Sequence, residues 1–420
     1  MLTREENDLI TQTGRGAPLG EMMRLYWIPA LYSHEIREND GTPLRLKLLG
    51  EDLVAFRDSN GDVGIMEEFC PHRGASLALA RNEESGLTCI YHGWKFDVHG
   101  NCVDMPSEPA ASNFKEKVKA RAFATREAAG IVWCYMGTSA TLPPFPSFQW
   151  TQVPENHLSA IKTLQECNFL QGLEGGIDSS HASFLHRSFG GVRTGWGNPV
   201  NGLIMADTAP RLEVEYTSYG YRYAAVRTAG PDQEYVRMTP YILPFYSYIP
   251  GPPDRTNGFS IWVPRDDHSC WQWEIGFNEH RPFTAQERHD RREQFGFHDL
   301  EDGFRKARNR DNWYLQDREA MKSRGFSGIF GTRTQDHAVQ ESMGAIYDRT
   351  REHLGTSDRA IIAMRRLLSE SVKNFQEGIT PPGLDPAIPY ELIRGDDFVK
   401  PADITWKEAR PLDPGHALAR

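Results

Sequence analysis

Apolar residues change their period along this chain, and each change marks an element. Near the start, Leu9 and Ile10, then Met22, Met23 and Leu25, flank Gly14-Arg15-Gly16-Ala17-Pro18, so the first two dozen residues read as helical. From Trp27 to about Gly137 the texture turns to short alternating runs, Leu44-Arg45-Leu46-Lys47-Leu48, Leu53-Val54-Ala55-Phe56-Arg57 and Val63-Gly64-Ile65-Met66, punctuated by Gly, Asp and Asn. That pattern predicts a small antiparallel β domain over 27–137. Leu142-Pro143-Pro144-Phe145-Pro146 marks its exit. A helical segment is expected from about Thr163 to His186. After it come the strand-like runs Leu212–Tyr216, Tyr219–Tyr223, Tyr241–Leu243, Ile261–Val263 and Trp271–Phe277. Strands with one face against helices make an α+β domain, which here takes residues 1–26 and 138–420. Past Thr284 the chain reads as helical and charged, with Ala360–Leu368 at helical spacing, and the end, with Pro381-Pro382 and Asp413-Pro414-Gly415, as a surface tail.

Composition narrows the function classes. A chain of 420 residues has room for two or three domains. Net charge of -10 and pI near 5.8 argue against a nucleic-acid binder. No apolar run approaches membrane-spanning length and the first residues show no signal-peptide core, so a soluble, cytoplasmic protein with no membrane partner is expected. Six cysteines in so long a chain are not a disulfide framework. Four of them, Cys102, Cys134, Cys167 and Cys270, read as reduced, buried small hydrophobes.

The other two carry chemistry. Cys70-Pro71-His72 and Cys89-Ile90-Tyr91-His92 flank a 16-residue spacer. Two thiolates and two imidazoles are the ligand set of a Rieske [2Fe-2S] centre, and also of structural zinc. The flanks favour iron-sulfur. Each pair opens into a glycine turn, Cys70-Pro71-His72-Arg73-Gly74 and Cys89-Ile90-Tyr91-His92-Gly93-Trp94, and the second runs on as strand and turn where a zinc finger would have a helix.

A second constellation lies in Glu174-Gly175-Gly176-Ile177-Asp178-Ser179-Ser180-His181-Ala182-Ser183-Phe184-Leu185-His186. Two His and a carboxylate with open positions form the facial triad of non-haem Fe(II) oxygenases. On an ideal helix five residues advance about 140° past a full turn, so convergence of His181 and His186 requires a local, π-type distortion. Asp178, about one turn before His181, is placed to hold that ring's second nitrogen. For the third ligand, spacing leaves Asp336, Glu341, Asp348 and Asp358 open. A cluster that stores one electron needs an acceptor, and a mononuclear iron supplies it.

Together these motifs resemble the oxygenase component of Rieske non-haem iron aromatic ring-hydroxylating oxygenases, most of all the phthalate and phenoxybenzoate dioxygenase branch, over nearly the whole chain. The resemblance implies a Rieske domain inserted near the N-terminus of a helix-grip (START-like) catalytic domain, and homotrimers or stacked hexamers. It implies Cys70, His72, Cys89 and His92 as cluster ligands, and His181, His186 and Asp336 as ligands of the mononuclear iron. His92 of one subunit would reach Asp178 of the next, making Asp178 an electron bridge. The implied reaction is hydroxylation of an aromatic substrate in aromatic catabolism, with O2 and electrons from a separate flavin and iron-sulfur NAD(P)H reductase. The chain carries no Gly-x-Gly-x-x-Gly after a strand, in agreement with a nicotinamide site elsewhere. Aromatic carboxylates, which this branch often takes, need a cation in the pocket, for which Arg222, Arg227 and Arg237 are candidates; Phe169, Leu173, Ile177 and Phe184 are candidates to meet a ring. The alternatives are a Rieske monooxygenase acting as an O- or N-demethylase or dehalogenase, a non-catalytic Rieske electron carrier, and a zinc-stabilised binding module.

Overall fold

The computed structural model describes residues 2–138, 142–189, 202–250, 257–298, 300 and 302–418. The chain divides into two compact units, Thr13–Phe145 and a larger one of Met1–Gln12 with Pro146–Arg420.

The smaller unit is built on a six-stranded antiparallel sheet in the order Trp27–Tyr32, Ile131–Tyr135, Ala122–Ala128, Val63–Glu67, Glu51–Arg57, Leu44–Leu48. A four-stranded sheet follows the order Arg81–Asn82, Leu87–Thr88, Lys95–Phe96, Cys102–Asp104. Val54, Phe56, Met66, Leu77, Leu87, Trp94 and Phe96 form a core that also takes in Cys70 and Cys89. The unit is wider than 27–137 at both ends for identifiable reasons. Arg24, buried, pairs with Glu51 at 2.7 Å and donates to the carbonyls of Thr13 and Leu49. At the other end Trp27 donates to the Pro143 carbonyl, and Phe145 packs edge-on against Trp133.

The larger unit centres on an eight-stranded antiparallel sheet. Its main path runs Leu158–Gln165, Ser269–Phe277, Asn257–Asp266, Tyr246–Ile249, Gln233–Ile242, Gly220–Gly230, Arg211–Thr217, and Asp396–Pro401 pairs with Gln233–Ile242. The C-terminal segment is therefore not a surface tail. It adds a strand and buries Trp406, whose indole N–H donates to Glu213.

Helix Phe169–Ile177 positions the site. Asn168 caps it by accepting from the Leu170 N–H and, through its own amide, donates to the Thr11 carbonyl, which ties the first residues of the chain to this unit. Its glycines allow close approach on two sides. A Cβ on Gly176 would stand 2.1 Å from the Trp262 ring, and one on Gly175 would stand 2.0 Å from the Gln340 amide. Glu174, buried, is gripped by Arg349 and Arg365 at 2.9 and 2.6 Å. Burial works to raise its pKa, and the two guanidinium groups outweigh that and lower it.

The expected helix over Thr163–His186 is corrected in both directions. Thr163 lies in the strand Leu158–Gln165, which is buried on both faces and so shows no clean alternation. At the other end the helix stops at Ile177. Asp178 is extended, its carboxylate accepts from the Ser180 N–H, and the chain turns into the short 3-10 segment His181–Ser183. The histidines converge because the helix has ended, with no π-type distortion within it.

Candidate metal centres

The two Cys-His loops repeat one backbone pattern. Cys70 N–H donates to the Ala75 carbonyl and Gly74 N–H to the Cys70 carbonyl; Cys89 N–H donates to Trp94 and Gly93 N–H back to Cys89. Gly74 and Gly93 take φ of 76° and 78°, the left-handed region that costs a residue with a Cβ. The second loop is the tip of the hairpin pairing Thr88 with Lys95.

Both sulfurs are buried, and the imidazoles of His72 and His92 meet with ring centroids 4.4 Å apart, His72 stacked on Trp94. Burial and the neighbouring Cys89 push the Cys70 thiol up to about 11, against the His72 N–H that lowers it, so a pair of thiolates here calls for a cation. His92 Nδ1 is buried with no hydrogen-bond partner among the described residues. Sulfur beside sulfur and imidazole beside imidazole suits two irons. A single tetrahedral zinc would draw all four ligand atoms together, and among the described residues only His181, His186 and Asp336 gather within 4.8 Å.

That second group is tight. His181 Nε2 and His186 Nε2 are 3.1 Å apart, and both face Asp336 Oδ1, at 3.5 and 3.1 Å. The outer nitrogens are taken: His181 Nδ1 lies 3.3 Å from Asp178 Oδ2, and His186 Nδ1 lies 2.7 Å from Gln335 Oε1. With the outer nitrogens occupied by Asp178 and Gln335, the two Nε2 atoms and the Asp336 carboxylate converge on one point, and the donor set is that of non-haem iron. The second oxygen of Asp336 accepts from Arg333 at 3.0 Å, and Arg333 also pairs with Glu274 at 2.7 Å. Burial would raise the Asp336 pKa, but His186, Arg333 and His181 hold it well below the usual carboxylate range. Burial would lower that of His181, and Asp178 and Asp336 raise it instead.

The other acidic candidates lie elsewhere. Glu341 is fully buried against Lys306 at 2.8 Å and accepts from the Tyr314 hydroxyl at 2.6 Å. Asp348 accepts from Thr350, and Asp358 from the Gly355 N–H.

A cavity of about 180 Å3 opens on the His181–His186–Asp336 group. Tyr223, Arg237, Thr239, Met205, Gln294 and Phe295 are among its lining residues. Of the three arginine candidates, Arg237 faces it. Arg227 is buried against the carbonyls of Ser179 and Asp207, and Arg222 pairs with Glu215 and lies over Trp406. The expected ring contacts are not found: Phe169, Leu173 and Ile177 are core residues, and Phe184 is exposed beside Phe326. Arg333, Gln335, Tyr223 and Phe295 went unnoticed in the sequence. Arg333 and Gln335 sit within three positions of Asp336, but polar residues at a helix start are too common to stand out.

Comparison with known proteins agrees with both centres. A Rieske [2Fe-2S] domain model matches residues 26–118, and the model of the LigXa C-terminal domain like family matches 134–413. The chain belongs to the Rieske-domain ring-hydroxylating oxygenases, as an oxygenase (alpha) component. It is 44% identical to the phthalate 4,5-dioxygenase oxygenase subunit of Pseudomonas putida, covering 97% of this chain and 94% of that one. It is 38% identical to the 3-chlorobenzoate-3,4-dioxygenase oxygenase subunit of Comamonas testosteroni, covering 97% of each. The oxygenase in the reduced oxygenase–ferredoxin complex of carbazole 1,9a-dioxygenase shares the fold, with TM-score 0.55 at 21% identity over 91% of this chain and 98% of that one. The protein is thus the terminal oxygenase of a multicomponent system that uses O2 and electrons from a partner, with one Rieske cluster and one mononuclear non-haem iron.

Proposed function

We propose that this protein hydroxylates an aromatic carboxylate of the phthalate or chlorobenzoate type, adding both atoms of O2. The observation that carries the substrate class is Arg237. It lines the iron cavity, and its Nε is buried without a hydrogen-bond partner among the described residues. Arg227 stands on the same face of the sheet, two residues along from the register partner of Arg237, and the two positive charges act on each other. A guanidinium fork aimed into a cavity recognises a carboxylate, and the relatives named above act on phthalate and chlorobenzoate.

Cys70 and Cys89 would hold one iron of the cluster and His72 and His92 the other; His181, His186 and Asp336 would hold the mononuclear iron. Iron bound there supplies O2 activation, fed by single electrons from the cluster. The chain's own residues orient the substrate through Arg237, hold Asp336 through Arg333 and keep His181 in place through Asp178. We read the working form as a homotrimer, or stacked trimers, in which His92 of one copy faces Asp178 of the next. Partial exposure of the Asp178 and His181 side chains supports that reading. The larger unit would be a helix-grip fold, its antiparallel sheet packed by the helix Arg359–Gln376. A flavin and iron-sulfur reductase would serve as donor. Six free cysteines fit the reducing cytoplasm. Among the described residues no helix is long and apolar enough to cross a membrane.

Oxygen-18 labelling tests the reaction. Phthalate or 3-chlorobenzoate turned over under 18O2 should yield a dihydroxylated product with two labelled atoms, a dihydrodiol or, where the chlorine-bearing carbon is attacked, the catechol left after loss of HCl. One labelled atom would move the protein to the monooxygenases.

A further inference from the structure

The two histidines of the iron site are held by chemically different partners, and the one behind His186 is a neutral amide. Its orientation is fixed. Gln335 is fully buried in helix Thr332–Ser342, and its Nε2 lies 2.8 Å from the Ile329 carbonyl. A carbonyl can only accept, so the amide nitrogen faces it and Oε1 faces His186 Nδ1, at 2.7 Å. Oε1 can only accept as well, so Nδ1 carries the ring's proton. A neutral imidazole has one N–H, which leaves His186 Nε2 as a bare lone pair directed at Asp336 Oδ1.

We propose that Gln335 is the positioning residue that fixes the tautomer and ring orientation of His186, and so presets the iron site before metal binds. This rests on iron being held by His181, His186 and Asp336. Gln335 is the immediate neighbour of Asp336, so one turn of helix supplies a ligand and, through Gln335, the restraint on a second ligand that lies 149 residues away. Ile329 anchors that restraint from outside the helix. His181 differs, since its outer partner is the carboxylate of Asp178. The site therefore has one imidazole backed by an anion and one backed by a dipole.

The test uses Gln335→Met, close in volume but without an acceptor, and Gln335→Glu. With a proton on the oxygen facing Ile329, Glu can reproduce both bonds. Fe(II) affinity is read by chelator competition on full-length protein, and the nitric oxide adduct of the bound iron is read by EPR. The visible spectrum of the Rieske cluster and the melting temperature of the iron-stripped protein verify folding. Gln335→Met should bind Fe(II) about 10- to 100-fold more weakly with an altered nitrosyl signal, and Gln335→Glu should stay within about threefold of the parent. Parental affinity and an unchanged nitrosyl signal in Gln335→Met would overturn the inference. So would equal losses in both variants, which would make packing the cause. If His181→Ala leaves mononuclear iron binding intact, the iron-site reading itself fails, and this inference with it.

Discussion

Replacing Arg237 by Gln tests the substrate assignment where the structure is most specific. The side chain lines the iron cavity and is only half-buried, with Nε unpartnered among the described residues. Removing one member of a buried, hydrogen-bonded charge pair costs about 2–5 kcal/mol, and partial exposure places this one near the low end, about 2–3 kcal/mol. At about 1.4 kcal/mol per decade, kcat/KM for an aromatic carboxylate should fall about 30- to 150-fold. The carboxamide of the same ring offers no anion and should change by less than about threefold in the same variant. Arg237→Lys should recover part of the loss, since it restores charge without the two-pronged geometry. The assay is steady-state product formation with a surrogate reductase, acid and amide measured side by side. Equal losses on both substrates would show that Arg237 shapes the cavity without reading the carboxylate. No loss on either would remove it from the binding site.

Other consequences follow from the same geometry. Asp178→Asn should leave both metal sites occupied and slow electron transfer from a pre-reduced cluster by about 10- to 100-fold or more, read by stopped-flow bleaching of the Rieske bands; an unchanged rate would show that Asp178 is not the bridge. Lys306→Met strands the fully buried Glu341 and should destabilise the larger unit by about 3–5 kcal/mol in thermal unfolding, and adding Glu341→Gln should restore much of it. Burial works to raise the Glu341 pKa, but Lys306, His337 and the Tyr314 hydroxyl hold it at about 2, below its ordinary 4.5. The folded state therefore binds fewer protons than the unfolded state, and this stabilisation is present in full above pH 4.5 and fades as pH falls toward 2, a slope that Glu341→Gln should remove from melting curves. Gly176→Ala places a Cβ 2.1 Å from the Trp262 ring and should cost about 1–3 kcal/mol of stability. Trp262→Phe should relieve part of that loss, and an unchanged melting temperature would contradict the packing described.

How legible the molecule was in its sequence depended on distance along the chain. Each Cys-His loop closes on itself through bonds between a cysteine and residues four and five positions on, so ligand, turn glycine and fold are read together. His181 and His186 were also local, but the reason they meet was not. Asp178 ends the helix through its bond to Ser180, and helical periodicity running up to Ile177 gives no sign of that stop. Asp336 reaches His186 across 150 positions of an acidic chain in which Glu341, Asp348 and Asp358 are chemically equivalent until burial and partners distinguish them. Gln335 and Arg333 were invisible because their roles consist of partners, His186 and Glu274, that only the fold brings near. The helical expectation fails at 163–165 because burial of both faces of strand Leu158–Gln165 erases alternation, and the surface-tail expectation fails at Asp396–Pro401 because a charged edge strand resembles a loop.

A single turnover without any reductase tests the two-site account most directly. Protein whose cluster and mononuclear iron are both reduced, mixed with phthalate or 3-chlorobenzoate and then O2, should form hydroxylated product up to one per occupied mononuclear site, with the Rieske cluster oxidised in step with product. Cluster oxidation with no product, or product with the cluster still reduced, would contradict it.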